Sequence, residues 1–433
     1  MMSDQRLDLL LFGASGFTGN KCIPYLYTIS KENGRNLTWG VSGRSEEKLR
    51  KGLEMTGQKI GADLSNIPII VADIKDHESI KQMVKKTRVL INCCGPYKYL
   101  GKPVVEACIA AGTHHVDVTA EPEFVDMLST DCHEAAKEKG VYVVTTCGME
   151  CIPTDLGLTY LEEKFDGVLN SLVAYLEAWQ DDKSSGPGVG YGTWASLVHG
   201  MKHGTQFRRL KERMFPGRKP APFQPELKVN YFPHHAKVVD GWSLVYPAVD
   251  KQVMRKSQTY LYEHENKRPV QVETLINIKS TLHLIGISIG FSVWLMFAQF
   301  WCGRYLLLNY PRAFTYGLFS KDKLPEDKIV ENCWYQITWY GEGWKEKLPD
   351  KDAQYSTPPN KSIVAQLKAK NPGYALTCAG IVGSAVMILT EREKLPPSGG
   401  VYTPGAAFRK TSLMKLLMDY KTLTIDILSI NDL

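Results

Sequence analysis

Three glycines near the start of the chain have the spacing of a loop that holds phosphate. They belong to a seven-residue segment made of Gly13, Ala14, Ser15, Gly16, Phe17, Thr18 and Gly19. At this spacing the first glycine turns the chain tightly, the second lets backbone N–H groups approach a pyrophosphate, and the third lets the following helix lie close to the preceding strand. The N-terminus of that helix favours an anion through its dipole and free amides. The segment therefore predicts a dinucleotide site, to which we assign all seven residues.

The elements that must position this loop alternate between strand and helix over residues 1–150. Apolar runs typical of strands lie at 7–12, 37–42, 67–72, 88–92, 115–119 and 141–146. Helical patterns lie between them at 17–30, 45–55, 76–87, 102–111 and 122–139. This alternation requires right-handed crossovers and predicts an α/β fold of the Rossmann type, a doubly wound parallel sheet that binds ligands at the carboxyl ends of its strands.

The residues after the second strand decide between the two nicotinamide dinucleotides. An NAD site usually has Asp or Glu there, whereas this chain has Gly43, Arg44 and Ser45, with Lys48 one turn into the next helix. A guanidinium pairs well with a 2′-phosphate, so NADP(H) is favoured over NAD(H). The alternative is that Arg44 is an ordinary solvated loop residue. Asp73, after the third strand, either contacts the adenine or caps the next helix.

The fourth strand ends in a turn beside the expected nicotinamide position. Its residues are Cys93, Cys94, Gly95 and Pro96, which we add to the cofactor site. Tyr97 follows directly, and Glu121 follows the fifth strand at the same edge of the sheet. Either one is a weak candidate for catalysis, but a packed aromatic and a helix N-terminal acid are the alternatives that these positions favour.

The composition is that of an ordered protein of two or more domains. The chain has 433 residues, of which 44% are hydrophobic and 23% charged, and its Lys plus Arg exceed Asp plus Glu by 52 to 46. This excess is too diffuse to indicate nucleic acid binding. Its ten cysteines lack zinc spacing, so no metal site is expected, and several lie in apolar runs, which suits a reducing compartment. The N-terminus enters a strand at once, leaving no room for a signal peptide.

Residues 284–303 form an uncharged run of twenty residues, long enough as a helix to cross a bilayer. Basic residues flank it on both sides, at Lys267, Arg268 and Lys279 before it and at Arg304, Arg312, Lys321 and Lys323 after it. Both ends are therefore expected on the cytoplasmic side. The run predicts a re-entrant hairpin that enters a membrane or a lipid droplet. The alternative is a core or dimer-interface helix pair.

Two further segments of the middle region have open interpretations. The basic residues Lys202, Arg208, Arg209, Lys211, Arg213, Arg218 and Lys219 suit either anionic headgroups or a solvated helix face. Residues 184–193 form a glycine-rich loop, with Thr193 expected to cap the next helix. The loop either lines the substrate cleft or is an ordinary surface turn.

Six separated segments of the chain resemble the saccharopine dehydrogenase-like oxidoreductase family, in order. These are residues 13–19, 43–45, 92–97, 116–121, 371–374 and 399–404. Eukaryotic members of that family include a protein found with lipid droplets, and its relatives include mycobacterial enoyl reductases of lipid synthesis. The resemblance implies a nucleotide-binding domain at 1–150 and an inserted α+β substrate or dimerisation domain at 151–370, which includes the hydrophobic segment 281–319. Residues 371–433 would pack back on the first domain, with a helix at 375–389 and a closing strand at 423–428.

The resemblance and the glycine loop together imply an NADP(H)-dependent oxidoreductase. Its expected substrate is a small molecule or lipid with an imino or enoyl group, met at a membrane or droplet surface, and a homodimer is compatible with the inserted domain. The alternative is a catalytically silent, lipid-droplet-associated protein that keeps the dinucleotide site for structure or sensing. The sequence names no catalytic acid that would decide between them.

Overall fold

A computed structural model describes residues 6–181, 186–200, 223–246, 249–348 and 350–433 of the chain. The basic stretch from Lys202 to Lys219 lies outside the described residues, as do Ser184 and Ser185 of the glycine-rich loop. The chain divides into two compact units. Unit 1 consists of residues 1–149 and 373–420, and unit 2 consists of residues 150–372 and 421–433.

Helices and strands alternate through the first part of the chain, as the sequence predicts. In chain order they are β1 (Leu7–Phe12), α1 (Phe17–Ile29), β2 (Trp39–Gly43), α2 (Glu46–Ile60), β3 (Ile69–Val71), α3 (His77–Val84), β4 (Thr87–Asn92), α4 (Tyr97–Ala111), β5 (His114–Asp117), α5 (Pro122–Asp131), α6 (His133–Glu138) and β6 (Tyr142–Val144).

The middle of the chain forms longer strands and the apolar helices. Its elements are α7 (Ile152–Phe165), β7 (Val168–Gln180), α8 (Tyr191–Gly200), β8 (Trp242–Val245), α9 (Asp250–Glu265), β9 (Gln271–Ile278), α10 (Thr281–Gln299), α11 (Trp301–Asn309), α12 (Pro311–Phe314), α13 (Asp327–Glu331), β10 (Cys333–Trp344) and β11 (Lys361–Lys370). The C-terminal elements are α14 (Thr377–Thr390), β12 (Gly400–Tyr402), α15 (Pro404–Phe408), α16 (Leu413–Asp419) and β13 (Thr424–Asp432).

The sheet of unit 1 is parallel and has the strand order β12-β6-β5-β4-β1-β2-β3. Its central strands are apolar on both faces because helices cover both faces, and Leu9, Leu10 and Leu11 of β1 are fully buried. The order reverses on either side of β1, and in such sheets ligands bind where this reversal leaves a crevice at the carboxyl ends of the strands. The predicted Rossmann-type fold is therefore the observed one.

The C-terminal helix α14 completes the core of unit 1. It packs on α1, β4 and β5, and every residue from Thr377 to Ile388 is buried. Beyond it, β12 pairs in parallel with β6 and extends the sheet by one strand. Sequence-distant residues therefore close the edge of the nucleotide-binding sheet.

Unit 2 is built on a mixed sheet with the strand order β13-β11-β10-β7-β9-β8. β7 and β9 are parallel, and the remaining neighbours are antiparallel. Helix α7 lies close on one face, since a Cβ atom on Gly157 would lie only 2.6 Å from a ring carbon of Trp339. Trp339 is fully buried, so this face is the core of unit 2.

Several elements differ from the sequence predictions. The predicted helix at 122–139 is two helices, α5 and α6, and α4 begins at Tyr97 and not at residue 102. The last strand, β13, pairs with β11 in unit 2 instead of closing unit 1, because its alternating side chains suit an edge strand with one solvated face. Helix α8 begins at Tyr191, two residues before the predicted cap Thr193. The uncharged run is also not one helix, since the backbone is extended at Phe300 and separates α10 from α11.

Candidate functional site

The glycine loop joins β1 to α1 and is as tight as its spacing predicts. Gly13 has a φ of +85°, and its N–H donates a hydrogen bond to the carbonyl of Ser42 at 2.9 Å. A Cβ atom on Gly13 would lie 2.7 Å from Sγ of Cys94, and one on Gly19 would lie 2.2 Å from the carbonyl oxygen of Gly13. Neither position tolerates a side chain. The loop is thus pressed between α1 and the end of β4.

The N-terminus of α1 opens toward solvent at this loop. Ser15 and Gly16 are exposed, no side chain caps the helix, and its first turn has no acidic residue. The free amides and the helix dipole therefore favour the binding of an external anion at this helix end. In the first turn, the ring of Phe17 packs edge-on against Tyr374 at 4.7 Å, which fixes the start of the helix. This cradle fits a diphosphate.

The end of β2 lies next to the same loop. Oγ of Ser15 is 3.3 Å from the place of a Cβ on Gly43, so a larger residue than glycine would crowd the loop. Arg44 is exposed, and it forms no ion pair within the described parts of the chain. Ser45 caps α2 by accepting a hydrogen bond from the N–H of Lys48 at 3.3 Å. The exposed guanidinium of Arg44 is therefore available to bind a 2′-phosphate.

Asp73 lies after β3, close enough to Cys94 to act on it electrostatically together with Arg44. Its Oδ1 accepts a hydrogen bond from the N–H of Lys75 at 3.0 Å, which holds the turn before α3. The residue that caps α3 is Asp76, whose carboxylate accepts from Glu78 and Ser79. The capping role proposed for Asp73 therefore belongs to Asp76.

The turn after β4 completes the crevice. The N–H of Cys93 donates to the carbonyl of Phe12 at 3.0 Å, and the N–H of Cys94 donates to Oδ1 of Asn92 at 3.0 Å. Burial raises the pKa of the Cys94 thiol, which keeps it protonated and unreactive. Gly95 and Pro96 then lead into α4. The glycine loop and the ends of β2, β3 and β4 thus meet at Cys94.

Tyr97 and Glu121, the two weak catalytic candidates, are both engaged within the protein. The hydroxyl of Tyr97 donates to the carbonyl of Asn92 at 3.0 Å, and its ring lies 5.7 Å from that of Phe124. The carboxylate of Glu121 accepts hydrogen bonds from the N–H groups of Tyr97 at 3.0 Å and Lys98 at 2.8 Å. These contacts match the packing and helix-capping alternatives.

A buried polar cluster that the sequence did not single out lies at the carboxyl end of β5. Oδ1 of Asp117 accepts hydrogen bonds from the N–H groups of Thr119 at 3.0 Å and Thr146 at 3.2 Å. Its Oδ2 lies 3.8 Å from Nδ1 of His115, and neither atom has a hydrogen-bond partner among the residues that the structure describes. Burial raises the pKa of Asp117 to about 7 and lowers that of His115 to about 3. The signal in the sequence was a His-Val-Asp triplet inside a strand.

Three thiols pack beneath the loop: Cys22 on α1, Cys93 just after β4, and Cys378 on α14. Cys22 is hydrogen-bonded with Cys378 and Cys93, and the contact with Cys378 together with burial raises the pKa of Cys22. Among the described residues, no three His, Cys, Asp or Glu side chains are arranged to hold a metal ion. The thiols therefore act as packing groups in a dry core.

Comparison with known proteins identifies the nucleotide-binding part. Residues 9–144 match the family described as "Saccharopine dehydrogenase NADP binding domain". This match covers the glycine loop, Arg44 and the turn after β4. Together with the arginine in place of an acid after β2, it indicates NADP(H) as the cofactor of unit 1.

Relatives of similar length match the whole chain. The saccharopine dehydrogenase-like oxidoreductase of Homo sapiens is 34% identical over 424 residues, which cover 96% of each chain. The lipid droplet localized protein of Caenorhabditis elegans is 32% identical over 96% of this chain and 97% of that one. The solved structure of apo saccharopine dehydrogenase (L-Glu forming) from Saccharomyces cerevisiae is 14% identical, has a TM-score of 0.53 and covers 99% of this chain and 100% of that one. This last likeness concerns the fold.

Proposed function

This chain belongs to the saccharopine dehydrogenase-like oxidoreductase family, and from that premise we propose that it transfers hydride between NADP(H) and an imino or enoyl group of a lipid-related substrate. We place this reaction on the cytosolic surface of a lipid droplet or membrane, to which the hairpin of α10 and α11 attaches the enzyme.

The residues of unit 1 have separate roles in this proposal. The amides at the start of α1, next to Gly16, hold the diphosphate, and Arg44 holds the 2′-phosphate. The turn from Cys93 to Pro96 would border the nicotinamide, and its apolar thiols would exclude water from it. The bound cofactor supplies the hydride chemistry itself.

The exposure of α10 carries the surface part of the proposal. Residues 285–289 are all exposed, and five consecutive residues occupy every side of a helix. The uncovered side chains include Ile285 at 50% and Ile289 at 61% exposure. An amphipathic helix docked on a partner protein would have a charged, solvated side, whereas α10 contains no Asp, Glu, Lys or Arg and exposes only small hydroxyls, Ser288 and Ser292, in its middle. The whole middle of the helix therefore needs an apolar surrounding.

A comparison inside the molecule supports the same conclusion. The segment Pro372–Thr390, which includes α14, has the same mean hydropathy as α10, 1.7, yet 78% of its apolar window is buried against 11% for α10. The former is a core helix of unit 1. Exposing the latter to water would be unfavourable by about 25 cal/mol for each Å² of apolar surface.

The turn between α10 and α11 is closed by a tight backbone contact and by the side chain of Arg304. A Cβ on Gly303 would lie 2.1 Å from the carbonyl oxygen of Phe297, so the two helices touch at this point. Nη1 of Arg304 donates hydrogen bonds to the carbonyls of Ala298 at 2.8 Å and Gln299 at 3.2 Å. The arginine thus satisfies carbonyls that the end of α10 leaves free.

Both ends of the hairpin connect to the same sheet. The hairpin leaves after β9 and leads back into β10, and both strands belong to the sheet of unit 2. A single crossing of a bilayer would separate these two strands. Insertion from one side, as a droplet with its single phospholipid layer requires, leaves the sheet whole.

The attachment is tested with the double variant Ile285→Glu/Ile289→Glu in cells that form lipid droplets. We expect the variant to move from droplets to the cytosol while its purified form keeps NADPH affinity, because α10 lies outside unit 1. As a control, Glu263→Gln changes an exposed residue of α9 and should leave localisation unchanged. Droplet binding by the double variant would contradict the proposed anchor.

The reaction is tested by following NADPH absorbance with purified chain and lipid enals, ketones and imino acids presented on phospholipid-coated droplets. Consumption of NADPH that stops in the Gly13→Ala variant supports the oxidoreductase. NADPH binding without turnover of any of these classes would instead favour the silent protein that retains the site for structure or sensing.

A further inference from the structure

Two tryptophans stack near one end of the sheet of unit 2, one residue pair before the end of the β7–β10 ladder. Trp179 of β7 and Trp334 of β10 are register partners, and their rings lie 6.1 Å apart at an interplanar angle of 8°. Trp179 is 39% exposed, although a ring of this size is usually more covered in a folded chain. Stacking thus fixes two large amphipathic rings at a position that faces out of the protein.

Two lysines flank the stacked pair. Lys370 of β11 is the register partner of Trp334 on the other side, and its Nζ lies 5.6 Å from the centre of that ring. Lys279, the residue after β9, has a side chain that is 73% exposed and lies 3.5 Å from a carboxylate oxygen of Glu177. Glu177 and Trp179 are two residues apart on one strand and so share a face. We name Lys370, Trp334, Trp179 and Lys279 the tryptophan row.

The tryptophan row lies at the end of the sheet from which the apolar hairpin leaves. α10 begins at Thr281, two residues after Lys279. Oγ1 of Thr281 accepts a hydrogen bond from Nε1 of Trp242 at 2.9 Å, and Trp242 is paired in register with Ile278 at the end of β9. Tryptophans of three strands therefore lie at the end of the sheet where α10, whose residues 285–289 are exposed, begins.

The charges beside the row balance. Its two lysines are accompanied by two carboxylates, Glu177 beside Lys279 and Asp181, which accepts a hydrogen bond from Nε1 of Trp334. A surface of this kind does not require a net negative partner. Ammonium groups complement the phosphate of a zwitterionic headgroup, and the exposed Asp181 and the ring faces complement its cation, while the buried Glu177 only balances the charge of Lys279.

Resting on the proposed attachment through α10, we infer that the tryptophan row is a docking surface for the headgroup layer of zwitterionic phospholipid. Tryptophan prefers this layer because its ring is apolar and its N–H is polar, and lysine reaches the same depth with its long stem. The tryptophan row then limits the depth to which the hairpin of α10 and α11 enters the lipid, and it fixes the orientation of unit 2 on the lipid surface.

The first test measures partitioning of the full chain to phosphatidylcholine vesicles and to triolein droplets coated with phosphatidylcholine. The double variant Trp179→Ala/Trp334→Ala is expected to partition about tenfold less. The wild-type partition coefficient should change little between low and high salt, since the charges balance. Tyr355→Ala is the matched control, because Tyr355 stacks on Trp344 at 3.8 Å at the opposite end of β10. This control should lose stability but keep its partition coefficient.

The second test reads the position of the rings directly and does not depend on a destabilising change. Phosphatidylcholine brominated near the headgroup quenches tryptophan fluorescence only by contact. Subtracting the fluorescence of the Trp179→Phe/Trp334→Phe variant from that of the wild type gives the signal of these two rings. Lipid brominated near the headgroup should quench this signal more strongly than lipid brominated near the end of the acyl chain. A difference signal that neither lipid quenches would overturn the inference even if the protein binds vesicles.

The remaining outcomes separate this inference from the attachment itself. If Ile285→Glu/Ile289→Glu abolishes binding and Trp179→Ala/Trp334→Ala leaves it unchanged, the row is not a docking surface and the anchor stands. If the wild type does not bind either surface, both fail. If light scattering finds that the row variant loses self-association at an unchanged partition coefficient, the row contacts a second copy and the inference is wrong.

Discussion

The carboxylate of Glu121 accepts a hydrogen bond at 3.0 Å from the backbone N–H of Tyr97, 24 residues earlier in the chain. The contact occupies the N-terminus of α4, so this helix end at the cofactor crevice is already neutralised from within. The N-terminus of α1 has no such partner among the described residues. The protein thus leaves one of two neighbouring helix ends for an external anion.

We predict that Glu121→Gln lowers the free energy of unfolding by about 1 kcal/mol, the usual effect of weakening a helix cap. NADPH affinity should change much less, because the carboxylate faces α4 and not the glycine loop. Urea unfolding and calorimetry measure the two quantities. Glu134→Gln, an exposed acid of α6 paired with Lys137, is the control and should change stability by less than about 0.5 kcal/mol.

The close fit of Gly13 against Cys94 predicts that Gly13→Ala weakens NADPH binding more than tenfold, by displacing the loop from the end of β4. The matched control is Gly112→Ala. Gly112 also has a positive φ, +67°, but no atom lies within 4 Å of its added Cβ. The Gly112→Ala variant should lose about 1 kcal/mol of unfolding free energy and keep its affinity for NADPH. Equal affinity losses in both variants would show that backbone strain alone, and not the contact with Cys94, is responsible.

Arg44→Asp should reverse the cofactor preference. The guanidinium is exposed and unpaired by any described carboxylate, so its removal costs only the contact with the 2′-phosphate. NADPH affinity should fall about ten- to a hundredfold, since hydrogen bonds to charged groups contribute about 1.5 to 3 kcal/mol. NADH affinity should rise or stay constant. Calorimetry with both dinucleotides measures this, and Lys51→Asp in α2 controls for the change of charge. An unaltered preference would remove Arg44 from the site.

The buried pair of Asp117 and His115 predicts a pH dependence of stability. A carboxyl whose pKa is higher in the folded than in the unfolded chain contributes stability that is present at low pH and lost as pH rises through the folded pKa. For Asp117 this window runs from 3.8 to about 7. His115 acts in the opposite direction below 6.5, because burial lowers its pKa to about 3.

Measurements between about pH 6.5 and pH 8 therefore isolate Asp117. There we expect the wild type to lose about 1 kcal/mol more unfolding free energy than Asp117→Asn, which keeps the acceptor for Thr119 and Thr146 without the charge. Urea unfolding of both proteins across this range gives the difference. Parallel pH profiles would mean that Asp117 is ionised in the folded chain.

Local chemistry made the cofactor site predictable. Glycine spacing, an arginine in place of an acid after β2 and a regular alternation of apolar runs are all properties of short segments. They predicted the Rossmann-type fold, the loop from Gly13 to Gly19 and the preference for NADP(H), because each depends on backbone conformation within a few residues. The buried pair of Asp117 and His115 escaped notice for the converse reason. This pair matters because both side chains are fully buried. The strands that bury them are far apart in the chain.

By itself, the sequence determined the glycine loop with its strand-loop-helix setting, and which stretches are strongly apolar. Only the tertiary structure decided which apolar helix is core and which is exposed, since α10 and the segment ending at Thr390 have equal hydropathy. It likewise decided that the final strand belongs to unit 2 and that Glu121 caps α4. Hydropathy and residue type are fixed locally, whereas exposure and pairing depend on which neighbours the whole chain brings into contact.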